Sequence, residues 1–403
     1  MGSPYLGLNR SLKKTILEFI GTQYRTNDDE FNEARERFVG DLNDSPIFAE
    51  PKFEIGKRYQ LSEMRLDEVV SQILAERTDA KSELLEKLAG VFRDYLLDGQ
   101  PFTHQVEAVR QTIDKKRHII VTTGTGSGKT LCFIAPLLIN ILLEALGSES
   151  RPKWSARGPI FAPKWWLQGN GNAYAASRRP EAVSRKAGVR AMLIYPLNAL
   201  VQDQVETWRN ILHSPEMEGI FKNSFSGDRI FFGQYNGDTP GSNEPGKPKE
   251  VARARTYLKD VDKKRQPDHR YLLKTEASEM LLRWDMQESP PDILITNFTM
   301  LAIMLIRERE AGIFSQTREW LKDPNNVFFL VLDELHTYRG TGGTEIAHTI
   351  RQFLEHIGLS PDHPQLRIIG TSASIEGDES RGDPKFLRDF FGTDSSSELF
   401  EMI

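Results

Sequence analysis

Short, continuously hydrophobic runs alternate with longer helical patterns over most of this chain. The runs occupy residues 118–121, 191–195, 230–232, 293–296, 327–332 and 366–370. Continuous rather than alternating hydrophobicity is typical of parallel strands that helices cover on both faces. Helical patterns at 130–146 and 199–212 lie between these runs. The pattern predicts an α/β fold with a parallel sheet, in which ligands bind at the carboxyl ends of the strands.

The rest of the chain divides into one leading region and two interruptions. Residues 1–98 carry apolar positions at helical spacing, so we expect an N-terminal helical region before a domain at 99–403. The alternation of strands and helices is interrupted at residues 147–190 and 241–290, which are predicted to be insertions. Within the second insertion, residues 276–286 are predicted to be helical.

Composition and charge limit the cellular compartment and the partners that we expect for this protein. The single cysteine, Cys132, excludes an internal disulfide and a cysteine-rich zinc site, and it fits a reducing compartment, so we expect a cytoplasmic protein. The longest apolar stretch, 131–146, is interrupted by polar residues and is too short to span a bilayer, so no membrane partner is expected. With a net charge of −5, any nucleic-acid site must be a local basic face rather than a global field.

A glycine-rich loop follows the first predicted strand. Residues 122–130 read Thr-Thr-Gly-Thr-Gly-Ser-Gly-Lys-Thr, and a helical pattern begins directly after them. In such a loop, backbone N–H groups converge on phosphate oxygens, Lys129 reaches the β- and γ-phosphates, and Thr130 binds Mg²⁺. Thr123 stands where the strict pattern has glycine, which we treat as a tolerable variant. ATP and Mg²⁺ are the predicted cofactors, with a ligand-free turn as the alternative, and the predicted binding residues are Thr125, Gly126, Ser127, Gly128, Lys129 and Thr130.

An acidic pair follows the fifth predicted strand. Asp333-Glu334-Leu335-His336 comes directly after residues 327–332, at the same sheet edge as the glycine-rich loop. There Asp333 can hold the Mg²⁺ that bridges the β- and γ-phosphates, and Glu334 can orient and deprotonate the attacking water. The alternative is that both carboxylates only cap the next helix. Glu334, Asp333 and Lys129 are the predicted catalytic residues.

Asp-Glu-x-His together with the glycine-rich loop resembles the DExH branch of superfamily 2 helicases, and further segments match that family in order. The resemblance covers residues 99–395 and implies one RecA-like P-loop NTPase domain. It implies that Gln105 hydrogen-bonds the adenine edge, that Phe102 stacks on adenine, and that His336 belongs to the nucleotide site. The motif that couples the ATP site to the strand-binding face corresponds to Ser372, Ala373 and Ser374.

The same resemblance assigns a nucleic-acid side. Segments 195–204, 235–240 and 295–301 are similar to the elements with which the family grips a single strand. Leu197 and Asn198 depart from the commoner Thr-Arg or Thr-Lys of the first element. The contact residues that the resemblance implies are Pro196, Asn198, Ala199, Gln202, Gly237, Asp238, Thr296 and Asn297.

The first insertion is basic and rich in tryptophan. Residues 147–190 hold nine Lys or Arg residues against two acidic ones, and they contain Trp154, Trp165 and Trp166. Cations bind phosphates and aromatic faces stack on bases, so this insertion is a candidate for tracking a DNA strand. The alternative is a solvated loop whose tryptophans dock on the domain.

The sequences of these motifs are most similar to those of large bacterial helicases of the Mrf-type repair group and of the DISARM and Druantia phage-defence systems. The resemblance implies an ATP-dependent DNA helicase or translocase that acts on single-stranded or partly duplex DNA. RNA is the alternative substrate, and a non-motor scaffold or binding subunit of a defence complex is the alternative from another class. No second P-loop or arginine-finger block follows residue 374, so we expect a second RecA-like domain in a missing C-terminal part or in another chain. The isolated chain is then expected to hydrolyse ATP poorly.

Overall fold

A computed structural model of the chain describes residues 15, 28–40, 59–79, 81–93, 100–124, 126–149, 151–168, 173–264, 272–338, 340–372, 384–393 and 400–403. The chain divides into two compact units, Met1–Arg58 and Tyr59–Ile403. The described part of the first unit contains helix α1 (Asp29–Gly40). All other elements named below belong to the second unit. The predicted domain boundary after residue 98 stays a prediction.

The described residues of the second unit form a seven-stranded sheet in which neighbouring strands are parallel, in the order β3-β4-β2-β5-β6-β1-β7. The strands are β1 (His118–Thr122), β2 (Ala191–Tyr195), β3 (Phe232–Tyr235), β4 (Ile293–Asn297), β5 (Phe328–Leu332), β6 (Leu366–Ser372) and β7 (Phe400–Met402). Successive side chains point to opposite faces: Ile119 and Val121 pack in one hydrophobic cluster and Ile120 in another. The predicted α/β fold with a parallel sheet that is covered on both faces is confirmed.

Two strands differ from the prediction. Strand β3 begins at Phe232 rather than at residue 230, because the Phe231 N–H donates to the Asp292 carboxylate (2.7 Å) instead of to a neighbouring strand. It continues through Gly233 and Gln234, which do not favour strands by themselves. Strand β7 is a three-residue strand at the sheet edge beside β1, too short to produce a recognisable hydrophobic run.

Helices cover both faces of the sheet. They are α2 (Leu66–Arg77), α3 (Ser82–Val91), α4 (Thr103–Val109), α5 (Lys129–Leu146), α6 (Asn198–Leu212), α7 (Pro215–Ser224), α8 (Pro248–Lys264), α9 (Arg283–Glu288), α10 (Phe298–Ile306), α11 (Ala311–Trp320), α12 (Gly340–His356) and α13 (Pro384–Phe391). The helices predicted at 130–146 and 199–212 correspond to α5 and α6. On one face, Leu88 of α3 and Leu138 of α5 belong to the same hydrophobic cluster. This cluster joins the helices that precede β1 to the sheet.

Helix α5 lies in the core of the second unit. By length and composition alone it could cross a membrane, and it is the one described helix of that kind, but 78% of it is buried inside the protein. Burial also raises the pKa of the Cys132 thiol on this helix to about 12, which leaves the thiol protonated and unreactive. The apolar stretch 131–146 therefore belongs to a helix of the protein core.

The second insertion differs from its prediction. Helix α9 occupies only the end of the stretch predicted to be helical, and residues 276–282 are not helical. They run beside edge strand β3, where the Met280 N–H donates to the Phe232 carbonyl (2.8 Å). Pairing with an unprotected strand edge supplies main-chain hydrogen bonds that replace those of a helix. A longer helix, α8, forms earlier in the insertion and buries Val251 and Leu258.

The tryptophans of the first insertion are buried. Trp154, Trp165 and Trp166 are 2%, 5% and 1% exposed. The Trp166 indole N–H donates to Asp262 Oδ2 of α8 (2.7 Å), and the Arg185 guanidinium lies 3.6 Å from the ring centroid of Trp154. These contacts support the docked-tryptophan alternative, because none of the three rings is available to stack on a base.

A buried ionic network anchors the first insertion. Arg185 Nη2 donates to Asp292 Oδ2 (3.0 Å), and Arg185 Nε donates to Asp228 Oδ2 (3.1 Å). Arg190 Nη2 donates to Glu144 Oε1 of α5 (2.7 Å). Burial alone would raise the pKa of Asp292, but the charges of Arg185 and Arg190 hold it below its ordinary value. The network connects the insertion to the start of β4 and to the core helix.

Candidate active site

The glycine-rich loop joins the carboxyl end of β1 to α5. Gly126 and Gly128 have φ angles of 79° and 73°, a left-handed conformation that residues with a Cβ rarely adopt. Gly128 is the N-cap of α5, so the partly positive end of the helix dipole lies at the loop. The Lys129 ammonium is buried and has no hydrogen-bond partner among the described residues. A buried cation at a helix N-terminus fits a phosphate group. Thr125 lies outside the described residues.

Gln105, predicted to read adenine, contacts this loop directly. Its side-chain oxygen accepts the Phe102 N–H (3.0 Å), and its side-chain amide donates to the Gly128 carbonyl (3.1 Å). A Cβ on Gly128 would collide with that amide, so the glycine also makes room for Gln105. Gln105 therefore fixes the position of the loop.

Two residues that the sequence reasoning missed also hold the loop. The Gly124 N–H donates to the Tyr59 hydroxyl (2.7 Å), and His104 Nε2 lies 3.0 Å from the Ser127 carbonyl oxygen. The Tyr59 and His104 rings meet edge to face, with centroids 5.4 Å apart. Burial lowers the pKa of His104, so its ring is neutral and Nε2 donates the proton. His104 is therefore a structural support of the loop.

Thr123 explains the departure from the strict glycine-rich pattern. Its hydroxyl lies 2.6 Å from the Ser127 hydroxyl, and both side chains are buried. This hydrogen bond spans the loop, so the threonine in place of glycine helps to close it.

Asp333 and Glu334 follow β5 at the same sheet edge. The Thr371 hydroxyl donates to Asp333 Oδ1, and burial raises the pKa of Asp333 despite this hydrogen bond. Glu334 has a φ angle of 56°, an uncommon left-handed conformation for a residue with a side chain. Its Oε2 is buried and accepts no hydrogen bond from the described part of the chain. Both predicted catalytic carboxylates thus lie at the sheet edge. Burial and the Thr371 hydroxyl hold Asp333, and a strained backbone conformation positions Glu334.

His336 connects the acidic motif with the end of β6. Its Nδ1 lies 3.2 Å from Glu334 Oε2 and 3.3 Å from the Ser372 hydroxyl. Because β6 lies between β5 and β1, Ser372 lies between the acidic motif and the glycine-rich loop. The other two predicted coupling residues, Ala373 and Ser374, lie outside the described residues.

Thr130 and Asp333 are the residues predicted to hold Mg²⁺. No group of three or more His, Cys, Asp or Glu side chains that could hold a metal ion occurs in the described part of the chain. Mg²⁺ at nucleotide sites is commonly held by one or two protein ligands, with phosphate oxygens and water as the others. One hydroxyl and one carboxylate therefore fit Mg²⁺ bound together with a nucleotide, and the unpaired Lys129 fits the phosphates.

The predicted nucleic-acid residues gather at the carboxyl ends of β2, β3 and β4. The Asn198 amide donates to Asp238 Oδ2 (3.3 Å), and the Asn297 amide donates to Asn198 Oδ1 (2.5 Å). Leu197, beside Asn198, is 63% exposed. This edge presents amides, a carboxylate and a leucine where the family commonly has a cation.

The remaining predicted contact residues differ in exposure. The Gln202 amide donates to Gln234 Oε1 (2.7 Å) near the surface. Thr296 is fully buried, and its hydroxyl donates to the Tyr235 carbonyl (2.6 Å), so its side chain faces the protein. The other residues at this edge are the half-buried Pro196 and the exposed Ala199 and Gly237.

Comparison with known proteins shows which helicases this chain is similar to. Residues 102–230, which include the glycine-rich loop, match the DEAD/DEAH box helicase family. This segment of the chain is therefore similar to the DEAD/DEAH box helicases. The Druantia protein DruE of Escherichia coli (strain UMEA 4076-1) is 28% identical over 98% of this chain. YprA of Bacillus subtilis (strain 168), an uncharacterized ATP-dependent helicase, is 25% identical over 74% of it. The chain spans only 22% of the length of DruE and 27% of the length of YprA.

Two solved helicase structures also align with this chain. One is the DUF1998 helicase MrfA bound to DNA and AMPPNP, with a TM-score of 0.45, 19% identity, and 87% of this chain and 31% of MrfA covered. The other is Mss116p bound to ssRNA and AMP-PNP, with a TM-score of 0.47, 12% identity, and 87% of this chain and 46% of Mss116p covered. The DEAD/DEAH box match ends before Asp333 and Glu334, whose assignment rests on their position after β5.

Proposed function

We propose that this chain is the N-terminal ATP-binding portion of an ATP-dependent DNA helicase or translocase of superfamily 2. One observation carries the proposal: at a single sheet edge, the buried Lys129 ammonium has no hydrogen-bond partner among the described residues, and the buried Glu334 Oε2 has only the His336 imidazole 3.2 Å away. Burying charged groups without partners is costly, and structures tolerate it mainly where function requires it. Bound ATP and its attacking water supply the missing partners.

The residues at this edge suit ATP hydrolysis. Lys129 and the loop N–H groups bind the phosphates, while Thr130 and Asp333 hold Mg²⁺, which neutralises charge on the β- and γ-phosphates when bound. Glu334 accepts a proton from the attacking water while the water oxygen bonds to the γ-phosphorus and the bond to ADP breaks. Gln105 binds the adenine edge from its position beside the loop.

Full activity requires a partner domain. In superfamily 2 helicases, a second RecA-like domain closes the cleft and supplies arginine fingers, and a missing arginine finger costs about a thousandfold or more in rate. We propose that this chain alone binds ATP but hydrolyses it slowly. The chain spans 22% of DruE, which supports a second domain elsewhere in a longer protein or in another subunit.

Single-stranded or partly duplex DNA is the proposed ligand of the edge formed by Asn198, Asp238 and Asn297. The similarity to the Druantia protein DruE and the motif sequences support a role in antiphage defence or DNA repair, and we propose that the protein acts in the cytoplasm. RNA is the alternative ligand. A non-motor scaffold is the alternative function, but a scaffold has no need for Lys129 and Glu334 at one edge.

The test is ATP hydrolysis by the full-length protein that contains this chain, without nucleic acid, with single-stranded DNA and with RNA of the same sequence. Glu334→Gln is the matched variant, because it keeps the side-chain shape but removes the proton acceptor. We expect DNA-stimulated hydrolysis that Glu334→Gln lowers by about a hundredfold or more. Stimulation by RNA alone would mean that RNA rather than DNA is the ligand. ATP binding without stimulation by either nucleic acid would favour the scaffold function.

A further inference from the structure

The loop after β3, residues 236–243, is held from outside by the start of α9; we name it the β3 loop. It contains Gly237 and Asp238 of the proposed nucleic-acid edge. The Arg283 main-chain N–H donates to the Pro240 carbonyl (2.9 Å), and the Arg283 guanidinium donates to the Asn236 carbonyl. One residue of the second insertion therefore contacts both the first residue and the middle of the loop.

Trp284, the next residue, holds the far end of the loop. Its indole N–H donates to the Asn243 carbonyl (2.6 Å). Its ring also packs against Gly241, which has a φ of +88°, and a Cβ there would lie 3.2 Å from the ring carbons. Trp284 is buried, so this contact is part of the protein interior rather than a surface available for stacking.

The environment of Arg283 shows that its main contact is with the loop. The side chain is buried, with 3% of the residue exposed, and the guanidinium lies 5.2 Å from the Tyr235 ring centroid. Burying a guanidinium costs free energy, and here a main-chain carbonyl of the loop is its hydrogen-bond acceptor. Such an arginine determines the loop's shape rather than neutralising a charge.

Hydrogen bonds within the β3 loop connect the residues that Arg283 contacts to the proposed nucleic-acid edge. The Asn236 side-chain oxygen accepts the Asp238 N–H (3.1 Å) and the Thr239 hydroxyl (3.1 Å). The Asp238 carboxylate in turn accepts the Asn198 amide (3.3 Å). Moving the Asn236 carbonyl therefore displaces Asp238 relative to Asn198.

We propose that Arg283 and Trp284 form a clamp on the β3 loop and act as positioning residues for nucleic-acid binding. The inference rests on the proposed function, because it assumes that the Asp238 edge binds a strand. In this proposal, the second insertion supports the binding of a nucleic-acid strand without contacting the strand itself.

The test compares Arg283→Met and Trp284→Phe in the full-length protein with the matched control Arg253→Met. Arg253 lies on α8 of the same insertion, with 77% of its side chain exposed, and pairs with Glu250 (3.0 Å). Three quantities are measured: the Kd for a fluorescein-labelled single-stranded oligonucleotide, the Kd for mant-ATP, and hydrogen exchange of the β3-loop amides.

We expect Arg283→Met to raise the oligonucleotide Kd by about tenfold and Trp284→Phe by about threefold, because each variant loses one side-chain hydrogen bond to the loop and the one from the charged guanidinium is the stronger. The β3-loop amides should exchange faster in both variants, while the mant-ATP Kd stays within about twofold, which a general loss of folding would not allow. Arg253→Met should leave all three quantities unchanged, because its charge is solvated.

The outcomes separate the clamp from the proposed function. An unchanged oligonucleotide Kd in both variants overturns the clamp, and so does an equal loss in Arg253→Met, which would indicate a charge effect. Wild-type protein that binds neither DNA nor RNA overturns the proposed function and the clamp's role with it. If Arg283→Met loses mant-ATP binding because it misfolds, Trp284→Phe decides, since it keeps an aromatic ring and removes one hydrogen bond.

Discussion

The Ser372 hydroxyl lies 3.3 Å from Nδ1 of His336, which itself lies 3.2 Å from Glu334 Oε2. The end of β6 thus contacts the predicted catalytic carboxylate through one imidazole. A shift at the end of β6 would therefore reach Glu334 through His336.

Ser372→Ala should weaken coupling without weakening ATP binding. The variant removes the hydroxyl beside His336 but leaves Lys129 and the loop intact. We expect DNA stimulation of ATP hydrolysis to fall by about tenfold, as for a lost hydrogen bond at a transition state, with an unchanged mant-ATP Kd. Ser315→Ala, on the exposed face of α11, is the control. Equal stimulation in Ser372→Ala and wild type would show that this contact carries no coupling.

Tyr59→Phe should weaken nucleotide binding. The change keeps the ring against His104 but removes the acceptor of the Gly124 N–H, so the entry of the glycine-rich loop loses one hydrogen bond. We expect a mant-ATP Kd about three- to tenfold higher. Tyr257→Phe, a half-buried tyrosine on α8, controls for the loss of a hydroxyl. The same Kd in all three proteins would mean that Tyr59 has no part in positioning the loop.

Arg185→Met should destabilise the fold strongly. It leaves Asp228 and Asp292 buried without their shared cation, and their side chains are 0% and 1% exposed. Breaking a buried ion pair by removing one partner costs about 3–5 kcal/mol. Arg157→Met, at an exposed position of the same insertion, should cost less than about 0.5 kcal/mol. Urea unfolding of both variants measures the difference, and similar midpoints would refute a supporting role for the network.

Stability should fall with acidification between about pH 6.5 and pH 4. His118 is buried and neutral: its Nδ1 accepts the Ile368 N–H (3.1 Å), and burial lowers its pKa from 6.5 to about 4. Between these values the unfolded chain binds more protons than the folded one, so the free energy of unfolding decreases as the pH falls. One histidine contributes at most about 1.4 kcal/mol per pH unit, and its contribution is fully present above pH 6.5.

Thermal unfolding at pH 7.0 and pH 5.0, for wild type and His118→Asn, measures this contribution. His213 also has a pKa lowered by burial, to about 3, and it keeps part of the pH dependence in the variant. We expect a smaller difference between the two pH values in His118→Asn than in wild type. Equal differences would show that His118 does not control the acid response.

The sequence predicted the parts of the site that adjacent residues define. The glycine-rich loop and Asp333-Glu334 are each a few consecutive residues after a hydrophobic run, so their positions at the sheet edge follow from the strand pattern. Tyr59 and Arg283 could not be predicted in this way. They lie 65 and 47 positions from the loop residues that they hold, and only the folded chain brings these pairs together.

The predictions that were wrong concern edge structure. Residues 276–282 have a composition compatible with a helix, but the open edge of β3 pairs with them instead. The start of β3 shifts because the Asp292 carboxylate takes the Phe231 N–H. Both outcomes depend on contacts between distant segments, which local hydrophobic patterns do not encode.

The most direct test of the central claim is calorimetric titration of this chain with ATPγS and Mg²⁺, for wild type, Lys129→Ala and the exposed control Lys115→Ala. The account predicts one binding site, a Kd at least about tenfold higher in Lys129→Ala, and a Kd within about twofold of wild type in Lys115→Ala. Unchanged binding in Lys129→Ala would contradict the assignment of this sheet edge as the ATP site.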